Sequence, residues 1–372
     1  MIKLNINKNT EEVRNLIKLM TLVAQDGAAG SNAREAVAAF VGPVITQVLQ
    51  QFATHRAFYN QQSYTFGEVP TVPLDNFTGN EEGLIDVWAA PTKGGLATNH
   101  ISDGDEFRMI TFPYDSALSM SKKNAAGGRF ELLVSGMERM AQELMVKEQY
   151  HAWNTILRCL GAARTASVPH IISSTTANVF QIDDINRLKT KVARLRNSWI
   201  GGTPAEKVGS GFTHLVISPE ITEQVRSWLY NPQNTRVGTM TSSGATAVPL
   251  PDQIRMSVFN ESGMLSIPGV ANFVQLNEMG VAQAYNKVFD SGYTAGAGEP
   301  AFNAYDDELV LAVDLSIDAG VQMTASDSDR TSEVRVQEDD QFSKRSGKVG
   351  WFAETETGFG WFDNRALTGI VV

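Results

Sequence analysis

The sequence predicts a mixed α+β protein, because helical and strand-like patterns follow one another along its 372 residues. Apolar residues in 129–160 recur at the spacing of an amphipathic helix, which would be about 48 Å long at ~1.5 Å per residue. Residues 64–120 instead contain short β-rich pieces separated by prolines and glycines. Between residues 161 and 320 strand and helix patterns alternate, which is typical of an α/β domain.

The amino-terminal sixth of the chain, residues 1–60, is predicted to be a helical arm. Residues 11–25 place their apolar side chains on one face, and Asp26-Gly27 ends this helix. A second helix is expected between residues 31 and 59. We expect Gly42-Pro43 to interrupt it, because proline lacks the backbone N–H that a helix interior needs.

Negative charge is concentrated in residues 61–119, which contain nine acidic and two basic residues, a net charge of −7. The same stretch has little apolar periodicity, so it cannot bury its own hydrophobic surface in a core of its own. Its aromatic side chains favour a projecting ribbon that completes its fold against another molecule.

The longest predicted element is the helix at residues 129–160, which follows Gly127-Gly128. Its apolar residues fall on one stripe and its charged residues lie mostly opposite, as expected for an amphipathic helix. Helices of this length usually act as struts. The stripe contains Phe130, Leu133, Val134, Met137, Met140, Ala141, Leu144, Glu148, Ala152, Thr155 and Ile156.

The carboxy-terminal half is predicted to contain a mixed domain followed by a strand-rich tail. Residues 326–341 are acidic and are expected to form a linker or surface loop. The tail contains Gly-Trp-Phe twice, at 350–352 and 360–362, and these two pieces are a candidate hairpin. Within 161–320 we expect helices at 182–199 and 220–230, and strands at 213–220, 271–276, 281–288 and 308–316.

Composition and motifs exclude several classes of protein. The net charge of −10 argues against a protein that grips nucleic acid through a basic patch. Cys159 is the only cysteine, so no intrachain disulfide can form. No apolar run approaches the roughly 20 residues of a membrane span, and we expect the protein to stay in the cytosol where it is made.

Motifs for catalysis and cofactor binding are missing from the sequence. The five histidines are scattered without metal-ligand spacing, and no phosphate loop, dinucleotide fingerprint or nucleophile elbow occurs. The sequence therefore predicts a protein that is not an enzyme and that has no cofactor and no metal site.

The order of helical arm, acidic β-ribbon, long strut helix, α/β domain and strand-rich tail resembles the major capsid proteins of tailed double-stranded DNA bacteriophages. The resemblance spans nearly the whole chain. It is carried by DGDEFRMITFPYDSALSMSKKNAAGG at 103–128, by the helix from Arg129, and by the closing KVGWFAETETGFGWFDNRALTGIVV from 348. The resemblance implies an α+β protein with the Hong Kong phage-type capsid fold.

Carried over residue by residue, the resemblance assigns five segments. Residues 1–60 would be the N-terminal helical arm and 61–120 an extended β-hairpin, the E-loop. Residues 121–178 would be the peripheral domain with its long spine helix, 179–320 the α/β axial domain, and 321–372 the C-terminal return to the peripheral domain.

The resemblance also implies a function. The chain would self-assemble as hexamers and pentamers into the icosahedral head that encloses the phage double-stranded DNA, without binding that DNA specifically. Its partners would be further copies of itself, together with portal and scaffolding or decoration proteins, and no membrane. It would be located in the capsid of the virion, after assembly in the cytoplasm of the bacterial host.

Charge complementarity identifies candidate contacts between subunits. Residues 120–160 carry a net charge of +2, and we expect the −7 ribbon of one copy to dock there on its neighbour. Some members of the family link subunits by an isopeptide bond from a ribbon lysine, but no motif here identifies a partner, and we expect no such link. The candidate contact residues are Lys93, Asp103, Asp105, Glu106, Lys122, Lys123 and Arg129.

Three alternative functions stay open at this point. An encapsulin-like nanocompartment shell protein has the same fold and would bind a cargo-enzyme tail. A cytosolic enzyme could use the glycine-rich loops of the α/β domain, although the catalytic residues are missing. An adhesin or tail-fibre module would show periodic β repeats, and the sequence has none.

Overall fold

The chain divides into two compact units, each assembled from separate parts of the sequence. The first unit comprises Met1–Val72, Phe107–Ala152 and Val321–Gly360. The second unit comprises Pro73–Glu106, Trp153–Gly320 and Trp361–Val372. The computed structural model describes residues 11–25, 27–73, 106–127, 129–163, 169–196, 211–227, 272–316, 319–326, 334–339 and 347–372.

Seven α-helices are found among these described residues, together with two 3₁₀ helices, of which the second is Asn364–Ala366. No described helix is long and apolar enough to cross a membrane. The first four are α1 (Glu11–Val23), α2 (Ala28–Phe52), α3 (Lys122–Ala126) and α4 (Phe130–Ala162), and a 3₁₀ helix at Thr54–Phe58 follows α2. The last three are α5 (Ile182–Arg196), α6 (Pro219–Ser227) and α7 (Ala284–Gly292).

Strands within the described ranges form one sheet in each unit and a short two-stranded ribbon. The first six are β1 (Asn60–Thr65), β2 (Thr71–Pro73), β3 (Glu106–Arg108), β4 (Thr111–Ser121), β5 (Ile171–Ser173) and β6 (His214–Ile217). The others are β7 (Asn272–Gln275), β8 (Leu309–Val313), β9 (Gly320–Ser326), β10 (Arg335–Asp339), β11 (Lys348–Trp361) and β12 (Leu367–Val371).

The long strand β11 organises the sheet of the first unit. It pairs antiparallel with β4 along Lys348–Gly358 and with β10 on its other side, and β9 and the parallel strand β1 complete the order β1-β9-β11-β10. Pro113 lies within β4 opposite Glu356. A proline cannot donate a ladder hydrogen bond, so its position is consistent with an edge strand.

Helices α1, α2 and α4 cover this sheet with their apolar faces. The amino-terminal helices are therefore part of the core of the first unit, because their side chains pack with those of α4 and β11. The fully or nearly fully buried members of this core are Met20, Val23, Ala33, Val37, Ala38, Ile45, Met120, Ala125, Leu133, Met137, Ala141, Val334, Val349, Trp351 and Ala353.

Arg34 connects three elements of this core through its buried guanidinium. Its Nε donates to the carbonyl of Val23 at 3.3 Å and its Nη2 to that of Gln25 at 3.4 Å, so it satisfies carbonyls at the end of α1. Its Nη1 pairs with the carboxylate of Glu338 in β10. The indole of Trp351 donates to the Arg34 carbonyl at 3.3 Å.

The second unit is a sheet in the order β5-β12-β8-β6-β7 with helices on both faces. Ile370 of β12 packs in the cluster that contains the apolar residues of α5 and α6. Its neighbour Gly369 faces the other side, where a Cβ atom would lie 3.3 Å from Leu160 of α4. Helix α7 lies beside α4 on that side, since a Cβ at Gly161 would be 3.2 Å from the Gly292 carbonyl oxygen.

The structure confirms the long helix and refines its buried face. Leu133, Met137, Ala141, Glu148, Ala152 and Ile156 of the predicted stripe are buried. Near its carboxy-terminal end the helix also buries Trp153 and Leu157, which lie off that stripe. This happens because the last part of α4 belongs to the second unit and packs into a different core.

Two sequence-based expectations about helices are wrong. Helix α2 begins at Ala28 and runs through Gly42-Pro43 without interruption, because packing of Val37, Ala38 and Ile45 in the core outweighs one missing hydrogen bond. Residues 281–288 were expected to form a strand, but α7 begins within them. Its buried Tyr285 and Phe289 are four residues apart, and the apolar alternation extends over too few residues to define a strand.

The carboxy-terminal expectations also need correction. The expected linker at 326–341 contains β10, which is held by its ladder with β11. Both Gly-Trp-Phe motifs begin in the same 14-residue strand, β11, so they do not form a hairpin. At the end of the chain, β12 pairs with β5 and β8 in the second unit. Its all-buried residues complete that sheet.

Replacing Arg34 with Met tests the role of the Arg34–Glu338 pair. The variant should lose about 3–5 kcal/mol of unfolding free energy, because it leaves the Glu338 carboxylate largely buried without its partner. Urea unfolding of the unassembled protein, followed by circular dichroism, measures this. Lys18→Met, at an exposed position of α1, is the matched control and should change the free energy by less than 1 kcal/mol. A similarly small loss of unfolding free energy in both variants would contradict the role given to the Arg34–Glu338 pair.

Candidate subunit-contact surfaces

Three of the seven predicted contact residues, Lys93, Asp103 and Asp105, lie outside the described residues. Glu106 is the first residue of β3 and is exposed. The remaining three, Lys122, Lys123 and Arg129, lie within eight residues of one another between β4 and α4. The structure therefore brings together the basic half of the predicted contact.

The three basic residues are carried by a corner of defined backbone, which we call the basic corner. The Lys122 N–H donates to the carbonyl of Gly347 at 2.8 Å, and the Arg129 N–H donates to that of Asn124 at 3.2 Å. Ala125 of α3 is fully buried and anchors the corner on the core. Lys123 and Arg129 are exposed and Lys122 is half-buried, so their charges can be reached from solvent.

The β2–β3 ribbon and its flanks expose apolar side chains. The Met109 N–H donates to the Pro70 carbonyl at 3.0 Å, which brings the two flanks together. Ile110 is the most exposed of these side chains, at 76%. Contiguous exposed apolar residues mark sites of association. We call the group the ribbon patch; it consists of Phe66, Val69, Phe107 and Ile110.

Next to the ribbon patch in sequence, β4 and α4 present an aromatic stack. The ring of Phe112 lies 4.4 Å from that of His151 at an interplanar angle of 23°, and Tyr150 meets the same imidazole edge-on. Burial, with a smaller contribution from the charge of Lys147, lowers the pKa of His151. A neutral imidazole therefore stacks on Phe112 near neutral pH.

An open cavity of about 370 Å³ lies between the same two elements. Its walls mix apolar and charged side chains, including Met140, Leu144 and Lys147 of α4 and Pro113 and Asp115 of β4. The described residues that line this cavity include no histidine and no cysteine. The part of the chain that is described also holds no cluster of three or more His, Cys, Asp or Glu side chains that could bind a metal ion.

A buried polar cluster in the first unit was missed by the sequence analysis. Glu148 of α4 is 1% exposed, and its Oε2 lies 3.6 Å from Arg56 Nη2 and 3.9 Å from His55 Nε2. Glu148 occupies a position in the apolar stripe of α4. A charged acidic residue on a buried stripe requires a buried partner. The position of Glu148 in the stripe could therefore have predicted a buried polar cluster from the sequence.

Aromatic residues from three other places enclose this cluster. The Tyr59 hydroxyl donates to the Ala152 carbonyl at 2.7 Å. The ring of Phe359 in β11 lies edge-on to His55, with 5.6 Å between ring centroids, and 5.4 Å from the Tyr59 ring. Burial, together with a weaker effect of the Glu148 carboxylate, raises the pKa of Tyr114 in β4. The cluster thus joins the 3₁₀ helix, α4, β4 and β11.

His55 is neutral in this cluster. Burial, reinforced by the charge of Arg56, lowers the pKa of His55 from 6.5 to about 3. The carboxylate of Glu148 would favour a charged imidazole, but it lies closer to Arg56. Desolvation therefore dominates, and the ion pair of the cluster is the one between Arg56 and Glu148.

Solved structures with a similar arrangement include virus capsids and an encapsulin. A chain of the asymmetric unit of the bacteriophage PhiM1 mature capsid aligns with a TM-score of 0.50 and 8% sequence identity, over 86% of this chain and 86% of that chain. A chain of the capsid of cyanophage P-SCSP1u aligns with a TM-score of 0.48 and 11% sequence identity, over 84% of this chain and 85% of that chain. A chain of the holo-SrpI encapsulin complex from Synechococcus elongatus aligns with a TM-score of 0.43 and 8% sequence identity, over 86% of this chain and 88% of that chain.

The match to the PhiM1 capsid chain establishes the fold. The chain has the α+β Hong Kong phage-type capsid fold, which confirms the fold class predicted from the sequence. At this level of identity the likeness extends to the fold alone. No model of a known protein family matches the sequence, and no curated protein matches it.

Acidification tests the neutral state of His55. Its pKa is lowered on folding, so between pH 6.5 and about 3 the unfolded chain binds a proton that the folded chain does not. Stability contributed by neutral His55 is therefore complete above pH 6.5 and is lost by roughly 1 kcal/mol per pH unit as the pH falls. Urea unfolding of the unassembled protein at a series of pH values should show a shallower loss in His55→Phe.

His214→Phe is the control for this measurement. The His214 ring is only half-buried, and burial lowers its pKa to a lesser degree. Its replacement should therefore reduce the acid slope less than His55→Phe does. Equal slopes in wild type and His55→Phe would contradict a buried, neutral His55.

Proposed function

We propose that this chain is the major capsid protein of a tailed double-stranded DNA bacteriophage. It self-assembles as hexamers and pentamers into the icosahedral head around the genome, and it acts without catalysis or a cofactor. The observation that carries this proposal is the fold shared with the PhiM1 mature capsid chain over 86% of both chains. Portal and scaffolding or decoration proteins are its further partners, and assembly takes place in the bacterial cytoplasm before the chain becomes part of the virion.

The ribbon patch supports a function in assembly. Ile110 and its neighbours in the patch stay exposed on a single copy, although they are the kind of side chain that folding normally buries. A closed symmetric shell repeats the same contact between all copies, so that modest burial at each contact adds up over the assembly.

The predicted ionic contact becomes a specific proposal at the basic corner. The acidic ribbon of one copy, with Lys93, Asp103, Asp105 and Glu106, binds Lys122, Lys123 and Arg129 of its neighbour. The exposed Lys123 and Arg129 side chains and the half-buried Lys122 support this pairing. Exposed ion pairs contribute little each, so the contact mainly selects the register between copies.

An encapsulin-like nanocompartment shell is the alternative function. The two functions differ in what the shell encloses: a phage head contains double-stranded DNA, whereas a nanocompartment contains a cargo protein. Electron microscopy of the protein expressed alone and with its neighbouring genes, after sizing by light scattering, tests whether shells form, and the contents of the shells, DNA or a cargo protein, distinguish the two functions. Closed icosahedral shells made of hexamers and pentamers are expected. A stable monomer or dimer in both preparations would reject both functions.

Charge reversal at the basic corner tests the ionic contact. Lys122→Glu/Lys123→Glu should raise the protein concentration at which half of the chains assemble about tenfold, because two attractive contacts become repulsive. Light scattering across a salt series measures this, and the difference from wild type should shrink at high salt. Lys18→Glu, an exposed charge of α1, is the control. Wild-type assembly by the double variant at low salt would show that the pairing is wrong.

A further inference from the structure

The second unit carries a basic surface on helix α5. Arg187, Lys191 and Arg194 follow the spacing i, i+4 and i+7, so they lie along one side of the helix. Of these, Arg187 is held by Asp184, at 3.5 Å, and by the Ser173 carbonyl. Lys191 and Arg194 are half-exposed and exposed, and neither is within 4.0 Å of a carboxylate oxygen in the described chain. We call these three residues the α5 surface.

Within this surface only Arg187 pairs with a described acid, Asp184. Asp184 is fully buried, and its carboxylate accepts hydrogen bonds from the Thr175 N–H at 2.8 Å and from the Gln181 N–H at 2.9 Å. Those bonds cap the start of α5. The charges of Lys191 and Arg194 therefore remain available for another molecule.

A second surface of the same unit has the opposite charge and an apolar centre. Tyr305 is 62% exposed, and Val281 is also exposed. The Ala282 N–H donates to the Ala304 carbonyl at 2.7 Å, which holds the segment that carries Val281 beside the segment that carries Tyr305. Exposed Glu278 and Asp306 flank them. We call Glu278, Val281, Tyr305 and Asp306 the Tyr305 surface.

The charge of this region is strongly biased. Residues 272–316 contain seven acidic residues and one basic residue, Lys287, whose Nζ lies 5.4 Å from the centroid of the Tyr305 ring. An apolar centre with tyrosine, surrounded by charged residues, is the usual anatomy of a protein–protein interface.

The backbone holds Val281 outward in a strained conformation. Ala282 has a φ of 60°, which places a residue with a Cβ in the left-handed region. Gly280, adjacent to Val281, has a φ of 130° and leaves no room for a side chain, since a Cβ there would lie 2.9 Å from the Glu220 Oε2. A strained backbone that keeps an apolar side chain exposed indicates a functional constraint.

The two surfaces lie on separate elements of the unit, α5 and the segments around α7. They are not paired within one copy, since neither Lys191 nor Arg194 lies within 4.0 Å of a carboxylate oxygen among the described residues. Two different, complementary surfaces on one chain make a head-to-tail contact between copies, and such contacts form a ring where the rotation between successive copies closes.

We propose that the α5 surface of one copy binds the Tyr305 surface of the next copy within a ring of identical chains. Lys191 and Arg194 face Glu278 and Asp306, and Tyr305 packs at the centre of the contact. This inference rests on the proposed function, because it specifies one contact within the hexamers and pentamers.

Three charge-reversed variants test this contact. The α5 variant is Lys191→Glu/Arg194→Glu, the Tyr305-surface variant is Glu278→Lys/Asp306→Lys, and the third chain carries all four substitutions. Each two-residue variant should require at least about tenfold more protein for half-assembly than wild type. The four-residue chain should return to within about threefold of wild type, because the charges are complementary again. If it assembles no better than the two-residue variants, the pairing is wrong.

Mixing the two-residue variants provides a second measurement. In a 1:1 mixture each α5-variant copy attracts only Tyr305-surface-variant copies on both sides, so the two must alternate around a ring. Alternation closes in a six-membered ring but not in a five-membered one. Electron microscopy should therefore show hexamers without pentamers or closed shells. Normal closed shells from the mixture would overturn the proposal.

Controls separate this inference from the proposed function and from misfolding. Lys18→Glu/Glu35→Lys reverses two exposed charges in the first unit and should assemble like wild type. Tyr305→Ser keeps every charge and should weaken assembly with little change in its salt dependence. Circular dichroism identifies any variant that fails to fold. Absence of shells in wild type contradicts the proposed function, whereas wild-type shells with unaffected variants contradict only this contact.

Discussion

Packing along α4 is the interaction on which both compact units depend. Its residues up to Ala152 complete the first core with α1, α2 and β11, and those from Trp153 complete one face of the second sheet. A single helix of 33 residues can do this because its buried side widens where the second core begins. The discontinuous sequence of each unit follows from this arrangement, since strands distant in sequence must return to the same helix.

Buried ion pairs determine which elements may meet in the first unit. Arg34 with Glu338, and Arg56 with Glu148, each join a helix to another element of the core. Such pairs contribute little net stability, because desolvation offsets most of their attraction. An alternative packing that separates one pair leaves a charge buried alone, and this penalty favours a single arrangement of helices on the sheet.

Four exposed surfaces of the chain differ from an ordinary solvent-facing surface. The ribbon patch, the basic corner, the α5 surface and the Tyr305 surface are apolar or unbalanced in charge on a single copy. The described residues contain no group of three or more His, Cys, Asp or Glu side chains that could bind a metal ion. Under the proposed function, contacts between copies would bury the apolar area and compensate the charge of all four surfaces.

The sequence alone determined the fold class and the strut helix, because these depend on the order and the periodicity of the apolar patterns along the chain. The 3.6-residue stripe of α4 persists over many turns, and so long a pattern is specific to a helix. Where the apolar pattern is short or interrupted, tertiary packing decided the secondary structure. Core contacts carry α2 through Pro43, the helical spacing of Tyr285 and Phe289 makes α7 a helix, and pairing with β4, β9 and β10 draws both Gly-Trp-Phe motifs into β11. The partners of Glu148 and the loops joined at Tyr305 are likewise brought together only in the folded chain, because residues far apart in sequence leave no periodic signal.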